Sequence, residues 1–483
     1  MPSTSNKPAF DQQNKAWLNI GMALTTDAST QPLTLPEKLC LALTAIGLLI
    51  LGFAGFGLVT GISNLIFALG SLMIGGIGFA FFYYKQRNLS GKHPHNGLIF
   101  ASLTARGAAA WITAVLLTFF YVLLYWYPQY LGLAANKQLP NTGLIGFFDP
   151  LSLTLKKQPA SQWFVYGTLY TLAIFIMGVK FILKYQHNRY QIIRTISVMF
   201  FQTGFAFLLP EVLQRLQQPY FDFKNIWPLN YYFFFDWHID QLISSGKLGV
   251  FMLGWGVFSI IVLTPVLTYF FGKRWYCSWV CGCGGLAETA GDPFRHLSNK
   301  KLNAWRLERW LIHGVLIFVF IMTAMVLYTR FTGQATLWFL NSHKLSSWYG
   351  FFIGAAFSGV IGVGFYPLLG SRVWCRFGCP MAAILGILQK YFSRFRITTN
   401  GGQCISCGNC STYCEMGIDV RAYAQRGQDV VRAACVGCGI CAAVCPRGVL
   451  KLENGKKITN NKAIIHVRRD EVDILFPEKE DRK

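Results

Sequence analysis

The stretch "WYGFFIGAAFSGVIGVGFYPLLGSRVWCRFGCP", residues 348–380, runs some twenty apolar residues into two cysteines four positions apart, with two arginines and a proline beside them. An apolar run of roughly 20 residues crosses the roughly 30 Å hydrocarbon core of a bilayer as a helix. The cysteines therefore fall at a membrane boundary. The pattern occurs twice: "GKRWYCSWVCG", residues 272–282, follows another apolar run with Gly, Arg and both cysteines in register. A spacing repeated at the same kind of boundary points to a membrane chain whose helices end in thiol pairs.

Composition agrees. Of 483 residues, 53% are hydrophobic, 16% aromatic and only 13% charged, too apolar for an ordinary soluble chain. Apolar runs of spanning length lie at 39–59, 62–84, 107–127, 163–183, 195–210, 248–271, 310–328 and 348–369. That is about eight spans, the fifth being the weakest. The first follows a polar leader and lacks the short basic start and small-residue cleavage site of a signal peptide, so no cleavage is expected.

The net charge of +23 is spread in a pattern that excludes nucleic acid as a partner. Basic residues gather in alternate loops: Lys85, Arg87, Lys92 and Arg106; Lys184, Arg189 and Arg194; Lys273, Arg274, Arg295, Lys300, Lys301, Arg306 and Arg309; then Arg372, Arg376, Lys390, Arg394 and Arg396. Lys137, Lys156 and Lys157 are the exceptions on the opposite side. Such loops face the cytoplasm, so both termini and both CxxxC pairs are expected on the cytoplasmic side of a bacterial inner membrane, with lipid as a partner. A basic amphipathic stretch, residues 381–396, reads as a helix lying at the lipid interface.

Beyond Thr399 the chain turns polar and glycine-rich. Cys404, Cys407, Cys410 and Cys414 form C-x2-C-x2-C-x3-C, and Cys435, Cys438, Cys441 and Cys445 repeat it with Pro446 following. In this bacterial two-cluster ferredoxin spacing the fourth cysteine of each run ligates the other run's cluster. Cys404, Cys407, Cys410 and Cys445 are thus expected to hold one [4Fe-4S] cluster, and Cys435, Cys438, Cys441 and Cys414 the other. Zinc also binds Cys-x2-Cys pairs, but the repeated three-plus-one runs argue for iron. Glu415 stands where a proline is usual after Cys414. Disulfides are not expected in a reducing compartment.

The expected fold is mostly α: a polytopic transmembrane helix bundle with a C-terminal α+β two-cluster bacterial-type ferredoxin domain. It divides into a polar leader 1–37, an N-terminal membrane domain 38–245 of about five spans, a membrane core 246–398 with both CxxxC motifs, the ferredoxin domain 399–455 and a charged tail 456–483.

Residues at i and i+4 share a helix face, so Cys277 with Cys281, and Cys375 with Cys379, would each point two sulfurs one way. Pro380 suits the first turn of a following helix and sets Cys379 at its N-cap, where thiolate is favoured. The two pairs are candidates for one four-sulfur metal site, with Cys283 as a spare. The competing reading is that free cysteines are small buried apolar residues, and Cys40, alone in the first span, is read that way.

The chain resembles the NapH-type membrane-bound polyferredoxins of periplasmic nitrate reduction, with relatives in the NosR-type protein of nitrous oxide respiration and the CcoG-type cupric reductase of oxidase assembly. The resemblance rests on "CSWVC", "CRFGCP" and the run from Cys404 to Cys445, and covers roughly residues 248–450. Gly282 departs from the proline usual in that family, and the first five spans match no family. The resemblance implies electron transfer between a quinol or a cytoplasmic reductant and a partner redox protein. Its cupric-reductase branch implies an alternative, a metal-handling assembly factor with copper on the CxxxC thiolates, which suit Cu(I).

No haem, flavin or nucleotide is expected. Only His313 lies within a span, where it reads as a core residue, and no C-x-x-C-H occurs. The glycine run at 55–61 sits inside a span rather than after a strand, and "TGQAT" from Thr332 departs from the flavin-attachment sequence of the NosR-type proteins. One outward segment, "NYYFFFDWHID" at 230–240, reads as an interfacial aromatic belt; its sharper reading is a docking or quinone-contact surface with Asp236, His238 and Asp240 as proton acceptors.

Overall fold

The computed structural model describes residues 33–86, 101–136 and 139–455 together with the strands Ile464–Val467 and Val472–Leu475. Most of the leader, the loop with Arg87 and Lys92, Lys137 and most of the charged tail lie outside the described residues.

Seven described helices are long and apolar enough to cross a membrane: α1 (Leu35–Gly55), α2 (Ile62–Tyr84), α3 (Ala108–Trp126), α4 (Gln162–Lys184), α5 (Arg189–Arg215), α6 (Lys247–Phe271) and α7 (Leu302–Thr332). The eighth apolar stretch is helical too. It begins as α8 (Ser342–Trp348), widens into a π-helix over Tyr349–Ile361 and breaks before the short helix Tyr366–Leu369. The fifth helix is longer than residues 195–210 because Asn188 caps it, its side chain accepting from the N–H groups of Tyr190 and Gln191 at 3.0 and 3.4 Å, which draws polar turns into the helix.

Prolines do not break the long helices. Pro210 in α5 and Pro265 in α6 each follow a π-helical stretch, Phe201–Leu208 and Ser259–Leu263. Proline clashes with the carbonyl four residues back and offers no N–H, and a widened turn relieves both problems. In α6 the Ser259 carbonyl accepts from both the N–H of Thr264 and its Oγ1, the latter at 2.8 Å.

The first two helices cross closely through small residues. A Cβ on Gly47 would lie 2.9 Å from the Ala68 carbonyl, and one on Gly75 2.7 Å from the Cys40 carbonyl, so only glycine permits this approach. Cys40 packs here, its sulfur against Gly78. Leu48, Leu49, Phe53, Ile66, Phe67, Ile112 and Leu116 are exposed on the helix faces, where lipid would cover them.

The loops read as basic share one end of the bundle. Arg106 donates to the Leu297 and Leu368 carbonyls, both at 2.8 Å, Lys184 pairs with Asp292 at 2.6 Å, and Tyr190 donates to the Gly437 carbonyl at 2.8 Å. The ferredoxin domain sits on that same end. At the other end Lys156 pairs with Glu211 at 3.3 Å, and Arg330 pairs with Asp236 and Asp240 at 3.1 and 2.8 Å.

Two sequence readings are corrected. The basic amphipathic stretch is not a helix lying on lipid. It forms α9 (Pro380–Phe392), whose Met381, Ala382, Ala383, Leu385, Gly386 and Gln389 are buried against the bundle and the ferredoxin domain; its apolar face is covered by protein. His313, read as a core residue, is exposed on α7. After α9 the strand Arg396–Thr399 pairs antiparallel with Leu450–Glu453, Arg396 opposite Glu453, closing the ferredoxin domain onto its entry point.

Candidate metal centres

Each CxxxC pair straddles a helix break rather than one continuous helix. Cys277 ends the short helix Arg274–Cys277, while Cys281 is the N-cap of Gly282–Thr289 with extended backbone. Cys375 lies in the π turn Trp374–Gly378, and Cys379 is the N-cap of α9, its Sγ accepting from the Ala382 N–H at 3.4 Å. The expectation of one shared helix face is corrected, because a residue before proline is forced out of the helical region and a glycine after Cys281 gives little propensity to continue. The N-cap position expected for Cys379 is the one it occupies.

All four cysteines are buried, 5 to 8% exposed, in one apolar cluster. Cys379 is raised above the usual thiol range by burial first, then by the charges of Cys375, Cys277 and Cys281. Burial pushes Cys277 up to about 12. The low thiol is Cys281, lowered to about 6 by a hydrogen bond from the Cys283 thiol, with Lys224 and the Gly284 and Cys283 N–H groups also outweighing burial. Cys283 is not a bystander but the donor to Cys281. Arg372 donates to the Cys277 carbonyl at 3.1 Å and lies 3.5 Å from Cys375 Sγ.

In the ferredoxin domain Cys404, Cys407, Cys410 and Cys445 line one cavity with Arg421 and Pro446. Cys441 is raised by burial and then by the charges of Cys438, Cys435, Cys414 and Cys410. Gly437 and Gly439 take left-handed backbone, φ 62° and 75°, which turns the second loop tightly between its cysteines.

That second loop is pressed against the bundle, its carbonyls held by side chains from the membrane part. Ser278 Oγ donates to Val436 O at 2.9 Å, Tyr190 to Gly437 O at 2.8 Å and Gln191 Nε2 to Cys438 O at 2.8 Å. Gln389 on α9 donates to Cys435 O and Arg432 O at 2.8 and 2.9 Å while accepting from the Lys273 N–H at 2.7 Å.

Behind the contact lies a buried ionic network that sequence reasoning missed. Glu415 accepts from Arg295 at 2.7 Å and pairs with Arg372 at 3.0 Å. Arg372 and Arg194 both pair with Glu288, and Arg295 pairs with Asp292 at 2.8 Å. Burial alone would raise both acids; Arg295 and Arg372 outweigh it at Glu415, and Lys184 and Arg295 hold Asp292 at about 2. Glu288, Glu415 and Cys438 approach within 4.8 Å, yet both carboxylates are occupied by arginines, so the trio is a charge network and not a metal site. The sequence signal was Glu415 itself, out of place after Cys414.

The outward segment is tied to its neighbours. Asp236 and Asp240 clamp Arg330, and His238 is buried with Nδ1 3.1 Å from the Phe233 carbonyl. Burial lowers its pKa. Asp236 and Asp240 thus engage Arg330, and His238 engages the Phe233 carbonyl.

The donor set suits iron-sulfur chemistry, since buried converging thiols are what a cubane requires. A family described as a 4Fe-4S binding domain matches residues 253–303 and 350–399, which carry both CxxxC pairs, and one described as a 4Fe-4S dicluster domain matches residues 403–450. The chain is a polyferredoxin-like membrane protein. The chain is 30% identical over 161 residues to YccM of Escherichia coli, which carries the name of a putative electron transport protein, covering 31% of this chain and 43% of that protein. It is 28% identical to the methylamine utilization ferredoxin-type protein MauN of Methylobacillus flagellatus, covering 32% of this chain and 52% of that one. An uncharacterized protein of Methanocaldococcus jannaschii is 23% identical, with 44% of this chain and 76% of that protein covered. The chain thus spans about half the length of the first two relatives. No solved structure matches. The 4Fe-4S character follows from the two family matches, and seven described helices are long and apolar enough to cross a membrane.

Proposed function

We propose that this polyferredoxin carries electrons between a quinol or cytoplasmic reductant and a partner redox protein, with three [4Fe-4S] centres. Cys404, Cys407, Cys410 and Cys445 hold the first, Cys435, Cys438, Cys441 and Cys414 the second, and Cys277, Cys281, Cys375 and Cys379 the third. Each cluster supplies one-electron chemistry whose potential is set by charge, hydrogen bonds and exposure. The protein surrounds them unequally. The Cys404 cavity lies at the outer part of the ferredoxin domain, while the Cys435 loop is locked to the CxxxC loops.

The observation that carries this reading is the docking of the second loop on the first CxxxC loop through Ser278 and Val436, which places two cysteine sets in one buried core. Iron and acid-labile sulfide should be counted in anaerobically purified protein. Three cubanes give about twelve iron atoms per chain and two give about eight. Replacing Cys375 and Cys379 together by serine should remove about four iron atoms and leave the ferredoxin signals intact. An unchanged iron count in that double variant would reduce the pairs to packing, and copper bound there in place of iron would favour the metal-handling alternative.

A further inference from the structure

The connection between α5 and α6 does not stay at its own end of the bundle. α5 leaves the ferredoxin end at Tyr190 and reaches the far end at Arg215, which donates to the Thr154 carbonyl at 3.1 Å. Residues 216–235 then turn back inward. The Phe223 carbonyl accepts from Trp255 Nε1 at 3.2 Å, the Lys224 carbonyl accepts from Tyr276 Oη at 2.8 Å, and Trp227 Nε1 donates to Thr323 Oγ1 at 3.2 Å. Ile226 joins the same buried cluster as the four CxxxC cysteines. By Asp236 the chain is back at the far end, on Arg330. Irregular backbone at this depth is tolerated only where protein covers it, and these contacts cover it.

At the apex the re-entrant segment delivers a cation. Lys224 has a side chain 10% exposed and, among the described residues, a loose ion-pair partner in Asp222 at 3.7 Å. Its Nζ lies 3.3 Å from where a Cβ on Gly282 would stand, and Gln202 Oε1 lies 2.7 Å from the same point. Gly282 immediately follows Cys281. Any side chain at 282 would have to displace the Gln202 amide and press on the Lys224 ammonium, so the bare glycine leaves room for both beside Cys281.

We propose that Lys224 is a positioning residue for the CxxxC centre, a buried counter-charge brought to it from the opposite end of the bundle and accommodated by Gly282. This rests on the third-cluster reading above. A cubane on four thiolates is negatively charged and becomes more so on reduction. Arg372 and Lys273 approach the cysteines from the ferredoxin side; Lys224 balances the charge from the other. Nearby charge is one of the quantities that set a cluster's potential.

Lys224→Met and Lys224→Arg should be compared with the wild type by iron content and by EPR-monitored redox titration. In Lys224→Met the midpoint of the CxxxC centre should move to lower potential, because the reduced form loses its counter-charge, while the two ferredoxin centres titrate as before and report that the molecule is folded. Lys224→Arg should return the midpoint most of the way. A CxxxC signal present and unshifted in Lys224→Met would overturn the role of Lys224 alone. Loss of all three signals would make Lys224 a folding residue and also overturn it. Wild-type protein with no third signal would overturn the cluster reading, and the proposal with it.

Discussion

Glu415 shows how one side chain ties two parts of the molecule together. It follows a cluster cysteine in sequence, is 1% exposed, and meets Arg295 and Arg372, of which Arg372 in turn touches the Cys277 carbonyl. Removing one partner of a buried ion pair leaves the others uncompensated, at a cost of about 3 to 5 kcal/mol. Glu415→Gln should therefore lower the thermal midpoint at which cluster absorbance is lost, although no ligand is changed. A midpoint equal to the wild type would mean that the arginines find water or another acid. The oddity of Glu415 was legible in the sequence because a motif fixes what normally stands there. Its partners were not, since Arg295 and Arg372 lie 120 and 43 residues away in a chain rich in loop arginines. Gly282 is the same case: the missing proline was visible, and Lys224 behind it was not.

At the scale of elements, α9 is the strut between bundle and ferredoxin domain, and Gln389 is its main polar link. Its amide serves Lys273, Arg432 and Cys435 at once. Gln389→Ala would leave those buried backbone groups without partners, about 1 to 3 kcal/mol each where water cannot enter. The second ferredoxin centre should then bleach faster in the presence of an iron chelator, with the first centre, outside the contact, unchanged. Equal bleaching of both would show that the domain loosens as a unit. The amphipathic period of residues 381–396 identified a helix correctly and misjudged its surroundings, because periodicity gives a face and does not say whether lipid or protein covers it. The CxxxC pairs failed for a related reason. An i, i+4 spacing implies a shared face only if the helix is unbroken, and Pro380 and Gly282 break it.

At the scale of the whole molecule, the spans and the ferredoxin domain were readable because length, apolarity and cysteine spacing are local properties of the chain. The depth of the re-entrant segment was not, since the aromatic residues of 216–235 read equally well as an interfacial belt and their contacts with Tyr276, Trp255 and Thr323 are distant in sequence. What the chain's charge pattern does supply is a test of orientation. The ferredoxin domain shares one end with the basic loops around Arg106, Lys184 and Lys273, and basic loops are retained in the cytoplasm. The helix Asp236–Ser244 lies at the other end, clamped by Arg330. Gln241 on that helix and Gln425 in the ferredoxin domain are both exposed. In intact cells a membrane-impermeant thiol reagent should label Gln241→Cys and spare Gln425→Cys, and permeabilised cells should label both. Labelling of Gln425→Cys from outside would reverse the orientation, put the cluster cysteines in an oxidising compartment where disulfides compete with iron, and remove the basis for a cytoplasmic electron donor.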